Sequence, residues 1–307
     1  MALICTGVVS AASMDRFLTG EELSADRLGG LLDRALELKR GREAGEGGEV
    51  LAGRTVALVF EKPSTRTRIS FEVGVAELGG TPVVLRGDEM QLTRGESIAD
   101  TGRVLSRYVH AIAIRSRSDE SVIELADAAS VPVINALTPL HHPCQAIADL
   151  VTLRERFGDL DGLRLAYVGD GNNVARSLAT LGRTAGVEVA IASPEGYGIE
   201  SGLAALDTAD PHEAVAGADA VYTDVWVSMG DEPEAEARRE ALAPYQLNAE
   251  LLGAASDQAV ALHCLPAHPG EEITDDVLYG DRSAVWDQAE NRLHAQKALL
   301  ELLLAAR

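Results

Sequence analysis

The chain has 307 residues, more than one compact core comfortably supports, and suits two α/β domains. Hydrophobic residues make up 46 %, enough for well-packed cores, while an aromatic content of 4 % argues against an all-β sandwich. The net charge of −21 is made unusual by its composition, because only Lys39, Lys62 and Lys297 among the 27 basic residues are lysines. An acid-rich, lysine-poor surface is what a cytoplasm of very high salt favours, since carboxylates hold water and counterions while self-repulsion is screened. No basic run stands out to neutralise a phosphate backbone, so a nucleic-acid partner is not expected. The three cysteines, Cys5, Cys144 and Cys264, are odd in number and widely spaced. They make no disulfide framework and fit a reducing, cytoplasmic setting.

Residues 1–13 are apolar and small but lack a positively charged leading segment. They read as an extension, with Met14 a possible natural start. No apolar run reaches the ~20 residues needed to span a bilayer. The periodic pattern then begins. Residues 23–40 place Leu28, Leu31, Leu32, Ala35 and Leu36 at helical spacing, and 41–48 form a glycine- and glutamate-rich loop. Strands are predicted at 55–60, 82–85, 111–115 and 131–135, with helices at 65–78, 97–108 and 120–129 between or beside them. Such alternation implies a parallel sheet covered on both faces.

A long helix at 143–157 carries the domain boundary. A second alternating unit follows, with strands at 163–168, 187–192, 220–225 and 259–265 and helices at 174–185 and 213–216. The last helix, 291–306, carries Leu293, Leu299, Leu300, Leu303 and Leu304, and periodicity alone does not fix what it packs on. The predicted fold class is therefore α/β, two parallel-sheet domains joined by an inter-domain helix and a returning C-terminal helix. The division is 14–148 together with 291–307 for the first domain and 149–290 for the second.

The strongest local signal is Ser64-Thr65-Arg66-Thr67-Arg68, where a strand runs through a short loop into a helix. A helix N-terminus offers unpaired N–H groups and about half a positive charge, hydroxyls add donors, and Arg66 can grip a phosphate through two parallel bonds. Capping by Ser64 or Thr65 and an Arg68–Glu72 pair would explain part of this cluster. They do not explain three hydroxyls and two arginines in five residues. No nucleotide loop of the G-x-x-x-x-G-K-[ST] kind occurs. Gly169-Asp170-Gly171-Asn172-Asn173-Val174 resembles a dinucleotide fingerprint, but Val174 replaces the third glycine and no acid follows the next strand, so a dehydrogenase is a poor second reading. His141, His142, Cys144, His263, Cys264 and His268 are possible zinc ligands, yet their spacing suits no usual site.

Ser64-Thr65-Arg66-Thr67-Arg68, with His142-Pro143-Cys144-Gln145, Asp224 followed by Ser228-Met229-Gly230, and His263-Cys264-Leu265-Pro266, resemble the signature segments of the ornithine carbamoyltransferases, in the family's order and from about Met14 onward. The resemblance implies that Ser64, Thr65, Arg66, Thr67, Arg115, His142 and Gln145 hold carbamoyl phosphate. Gln91 would reach a neighbouring subunit's site. Asn173, Asp224, Ser228 and Met229 would bind ornithine, and Cys264, Leu265 and Arg292 would close around the carbamoyl group. Arg66, Arg115, His142, Asp224 and Cys264 are expected to carry the chemistry. The family further implies trimers or multiples of trimers, sites at subunit interfaces, and no metal or organic cofactor. Ser228-Met229-Gly230 speaks for ornithine over putrescine, whose carbamoyltransferases are the nearest competitor, and no basic group for the second carboxylate of aspartate is evident. A non-catalytic homologue would show decayed signatures, and here they are intact.

Overall fold

The computed structural model describes residues 14–90, 95–227 and 232–304. The extension read at 1–13, Gln91, and Ser228 with Met229 lie outside these residues. In chain order the first half holds β1 (Arg16–Phe17), α1 (Ala25–Glu43), β2 (Thr55–Phe60), α2 (Thr65–Glu77), β3 (Thr81–Arg86), α3 (Ile98–Leu105), β4 (Ala111–Arg115), α4 (Asp119–Ala128) and β5 (Val133–Leu137). After α5 (Pro143–Phe157) come β6 (Arg164–Val168), α6 (Asn173–Ala185), β7 (Glu188–Ala192), β8 (Leu206–Thr208), α7 (Pro211–Val215) and β9 (Ala220–Thr223). The chain continues through α8 (Ala235–Leu242), α9 (Ala249–Gly253), β10 (Val260–His263), α10 (Asp275–Leu278) and α11 (Val285–Leu304).

Two five-stranded parallel sheets result, ordered β1-β5-β4-β2-β3 and β10-β9-β6-β7-β8. In each, the chain winds one way from an inner strand and then returns to that strand's other side. This reversal opens a crevice beyond the carboxyl ends of β2 and β4 in the first sheet and of β6 and β9 in the second, where ligands of doubly wound sheets bind. Between β4 and β5 the register slips: Ile114 faces Asn135 but Arg115 faces Leu137. Such a bulge re-aims a side chain, and here it lies at Arg115.

The helices join the two sheets into one body. Every residue of α5 from Pro143 to Leu153 is buried, between α1, α6 and α11. The returning helix α11 packs on α1, α2 and α5, so the expected return to the first half is observed. Its leucines Leu299, Leu300, Leu303 and Leu304 are at most 2 % exposed, and each contributes about 1.5–3 kcal/mol of burial. One apolar core runs from Phe17, Val56 and Phe71 through α5 to Tyr167, Tyr222 and Leu262.

Several boundaries differ from expectation. Helix α11 starts at Val285, six residues before the predicted 291, because the polar Gln288 and Asn291 are buried hydrogen-bonding residues that break the apolar pattern. Strand β5 begins after Pro132, which has no N–H for the ladder, and runs on to Leu137. Helix α1 continues to Glu43, into the expected loop. The two-residue β1, the short β8 and helices α8 to α10 carried too few periodic positions to be read.

The dinucleotide-like glycines have a local explanation. Gly169 sits at φ +125°, which side chains rarely adopt, and a Cβ on Gly171 would lie 2.6–2.8 Å from backbone atoms of Tyr197, Gly198 and Ile199. Gly171→Ala should therefore cost about 1–3 kcal/mol, as overpacking does. Gly198→Ala, with open space around it, should stay within about 0.5 kcal/mol of the parent. Chemical denaturation compares the two, and equal values would refute the close-approach account.

Candidate active site

Six strand ends deliver their following residues to one cleft of about 680 Å³ between the sheets. From the first sheet come Lys62 to Thr67 after β2, Arg115 at the end of β4, and Leu137 to Pro139 with His142 after β5. The second sheet supplies Asp170, Asn172 and Asn173 after β6, Asp224 after β9, and Cys264 to Pro266 after β10. Arg292 enters from α11. Of the predicted residues, Ser64, Thr65, Arg66, Thr67, Arg115, His142, Asn173, Asp224, Cys264, Leu265 and Arg292 thus line one cleft. Gln145 does not: it faces an adjoining hollow behind Cys264 and Arg292.

The first-sheet side is strongly cationic. Ser64 stands at the N-cap of α2 without making a side-chain capping bond, so the plain capping role read as an alternative is not the one it takes. Arg68 does pair with Glu72 at i,i+4, which leaves Arg66 as the arginine of this segment in the cleft. Arg292 donates to Thr67 Oγ1 at 2.7 Å and to His142 Nε2 at 3.0 Å. Nε2 therefore accepts, the ring proton sits on Nδ1, and that buried atom has no hydrogen-bond partner among the described residues. Arg115 Nε and Arg292 Nε are likewise buried and unpaired.

Burial pushes the Arg115 guanidinium down to about 10, and Arg292 and Arg66 push it the same way. Arg292 is lowered too, chiefly by burial. His142 falls well below the ordinary histidine value, first through burial and then through Arg292, Arg115 and Arg66. Desolvated cations facing one another favour an anion between them, and burial together with the same cations keeps the His142 imidazole neutral.

The second-sheet side is built from acceptors. Asp224 Oδ1 accepts from the Cys264 thiol at 3.0 Å and Oδ2 from Asn172 Nδ2 at 2.7 Å. Asn172 also caps α6 by accepting from Val174 and Ala175 N–H. Burial and the Asp224 carboxylate raise the Cys264 thiol well above its usual range, so it is a protonated donor, unfit as a nucleophile. Asn173 lines the cleft with its Nδ2 bound to Thr138 O at 2.7 Å, tying the two halves together at the back. Arg66 crosses the cleft to donate to Leu265 O at 2.7 Å. Leu265 itself has φ +59°, a left-handed conformation that costs a non-glycine residue about 1–3 kcal/mol.

Beneath the cleft, buried Asp149 Oδ1 accepts from Gln145 Nε2 and Gln288 Nε2, both at 2.7 Å, and from Tyr222 OH at 3.5 Å. Burial raises its carboxyl to about 7. Asp149 and Asn172 were missed by sequence reasoning. Each lies one turn or one residue from a motif, at i+4 from Gln145 and beside Asn173, and that neighbourhood was the available signal.

Asp224, His263 and Cys264 bring potential metal-ligand atoms within 4.8 Å of one another. Their lone pairs are already committed. His263 Nδ1 accepts from Leu265 N–H at 2.8 Å and Nε2 faces Glu272 at 3.1 Å, while the thiol proton serves Asp224. The donor set does not fit a zinc ion without dismantling these bonds. Among the described residues, no helix is long and apolar enough to cross a membrane.

Two facing switch-point crevices, cationic on one side and acceptor-rich on the other, define a two-domain α/β cleft for joining an anionic activated group to a second substrate. Residues 16–155 match the carbamoyl-P binding domain of aspartate/ornithine carbamoyltransferases, and residues 161–303 match their Asp/Orn binding domain. The chain belongs to the aspartate/ornithine carbamoyltransferase family. It is 53 % identical to an ornithine carbamoyltransferase of Acidothermus cellulolyticus over 94 % of this chain and 96 % of that one. A relative of the same description from Symbiobacterium thermophilum is 51 % identical, over 94 % and 97 %. The solved ornithine carbamoyltransferase of Pyrococcus furiosus superposes with a TM-score of 0.92 at 46 % identity, covering 97 % of this chain and all of that one. That of Thermus thermophilus gives 0.89 at 45 %, covering 95 % and 100 %.

The depressed His142 sets a pH test. A histidine whose folded pKa lies below its unfolded value contributes stability that is present above about 6.5 and lost as pH falls below it. Histidine NMR should show the His142 ring still neutral at pH 6.5, and Arg292→Gln should move its titration upward. Half-protonation of His142 near 6.5 in the parent chain would contradict the electrostatic account.

Proposed function

We propose that the chain transfers the carbamoyl group of carbamoyl phosphate to the side-chain amine of L-ornithine, giving L-citrulline and phosphate, as an enzyme of arginine metabolism. One observation carries the reading: the guanidiniums of Arg66, Arg115 and Arg292 converge with neutral His142 on a cleft whose opposite wall is the Asp224–Cys264 pair. The first domain, residues 14–148 with the returning helix, takes carbamoyl phosphate. The second, 149–290, takes ornithine.

In this mechanism the N-terminus of α2, with Ser64, Thr65, Arg66 and Thr67, grips the phosphate. Arg115, the His142 N–H and Thr67 face the carbonyl oxygen, where negative charge grows as the amine attacks carbon. Asp224 draws in the ornithine ammonium, which must lose one proton to expose its lone pair. Nitrogen then bonds to carbon, the C–O bond to phosphate breaks with its electron pair leaving on phosphate, and the second amine proton passes to that phosphate. Asn173 belongs to the ornithine side, as do Ser228 and Met229. Leu265 closes over the carbamoyl group, Gln145 supports the site from behind, and no cofactor takes part.

The assembly proposed is a homotrimer or a multiple of trimers in which Gln91 of one subunit completes a neighbour's site. The three widely spaced cysteines support a cytoplasmic location, and the acid-rich, lysine-poor composition supports adaptation to high salt. Citrulline formation, assayed with ornithine, putrescine, aspartate and acetylated ornithine at low and molar salt, tests the assignment, with ornithine the expected substrate. Arg66→Ala should lower kcat/KM by on the order of 10²–10³-fold. Cys264→Ala should also cut turnover without unfolding the chain. Parental rates in both variants would end the proposal.

A further inference from the structure

The loop after β10 holds a buried carboxyl that the mechanism above does not use. Glu272 is 0 % exposed, and its Oε1 accepts from His263 Nε2 at 3.1 Å and from the His268 backbone N–H at 2.5 Å. On the other side of the same ring, His263 Nδ1 accepts from Leu265 N–H at 2.8 Å. His263 is itself buried, and its backbone N–H is held by Gln288 Oε1 at 2.9 Å. Carboxylate, imidazole and amide therefore form a directed chain ending at the residue beside Cys264.

The direction follows from proton counting. Leu265 N–H can only donate, so Nδ1 must be bare, and a neutral ring then carries its proton on Nε2. A carboxylate oxygen opposite Nε2 selects that tautomer. A doubly protonated ring, or the other tautomer, would set two N–H groups against each other at Leu265. The bond thus secured anchors the left-handed turn at Leu265, which turns the Leu265 carbonyl and the Cys264 thiol toward the cleft. A bare structural pairing of a buried histidine with a buried acid would not need its far nitrogen to meet the single strained residue of this kind among those described.

We propose that Glu272, acting through His263, is a positioning residue for carbamoyl transfer, fixing the imidazole tautomer that holds Leu265 and Cys264 in their reactive placement. This rests on the carbamoyl-transfer reading of the cleft. It assigns Glu272 no contact with substrate.

Glu272→Met keeps the volume and removes both acceptor oxygens, whereas Glu272→Gln keeps an oxygen that can accept from Nε2–H. The assay is steady-state citrulline formation by the full-length parent and both variants, alongside their thermal unfolding midpoints. Glu272→Met should lose on the order of 10–100-fold in kcat, the scale of a misplaced reactive group, with little change in KM for carbamoyl phosphate, whose phosphate is gripped from the first sheet. Glu272→Gln should recover most of that loss. Equal kcat in all three chains would overturn the inference, as would equal losses in Met and Gln variants that follow their unfolding midpoints. Should Glu272→Met not fold, Glu272→Asp, whose carboxylate falls one methylene short, is read by the same kcat and KM split. A parent chain inactive on ornithine would defeat the underlying reading of the cleft, an outcome separate from any difference among the variants.

Discussion

The structure is organised around a repulsion. Burial lowers the proton affinity of Arg115 and Arg292, and neighbouring cations add to it, Arg292 and Arg66 at Arg115 and Arg66 at Arg292. Such an arrangement is unfavourable on its own, and like-charged groups at close range separate unless something holds them. The holding is done by regular structure: Arg115 by a central strand, Arg66 by the first turn of α2, Arg292 by the middle of a buried helix. Cations held at such range favour an anion between them. In the proposed reaction, substrate binding and leaving-group stabilisation share that one electrostatic origin.

Doubly wound topology explains how residues so distant in sequence converge. In each sheet the two strands flanking the switch point send their following loops apart, and the opening between them receives side chains from both. Two such openings face each other because α5 and α11 clamp the halves through a shared apolar core. The slip in register beside Arg115 and the left-handed Leu265 are local departures from ideal geometry, and both stand at the cleft. Departures of this kind gather where function outweighs regularity.

Much of the frame was legible in the residues. Strand β2 and helices α2 and α5 stand close to where the sequence places them, β2 as a continuous apolar run, α2 just after Pro63, and α5 between Pro143 and Gly158. The start of α11 was not legible, because Gln288 and Asn291 are interior residues satisfied by distant partners, and hydrophobic spacing sees them as surface. The cluster at residues 64–68, which lines the cleft, stood out through the density of hydroxyls and guanidiniums in five residues. Asp149 and Glu272 did not: a lone acid in a helix and one of two in a glycine-bounded turn look solvated until the fold buries them. Chemistry concentrated in one segment is readable from sequence, whereas chemistry assembled from single residues on separate elements needs the coordinates.

The return of α11 bears on how the molecule is made. Phe71, Val75 and Leu28 sit in a wall that the closing twenty-residue helix completes, with Gly74 admitting Leu293 and Lys297 at close range. During ribosomal synthesis the opening half thus emerges with part of its oily surface bare, and it stays so until α11 has followed. Consolidation of this wall waits for α11, and Arg292 reaches its neighbours with the same helix. Acquisition of a competent cleft and completion of the hydrophobic interior are therefore coincident steps in the life of each newly made chain.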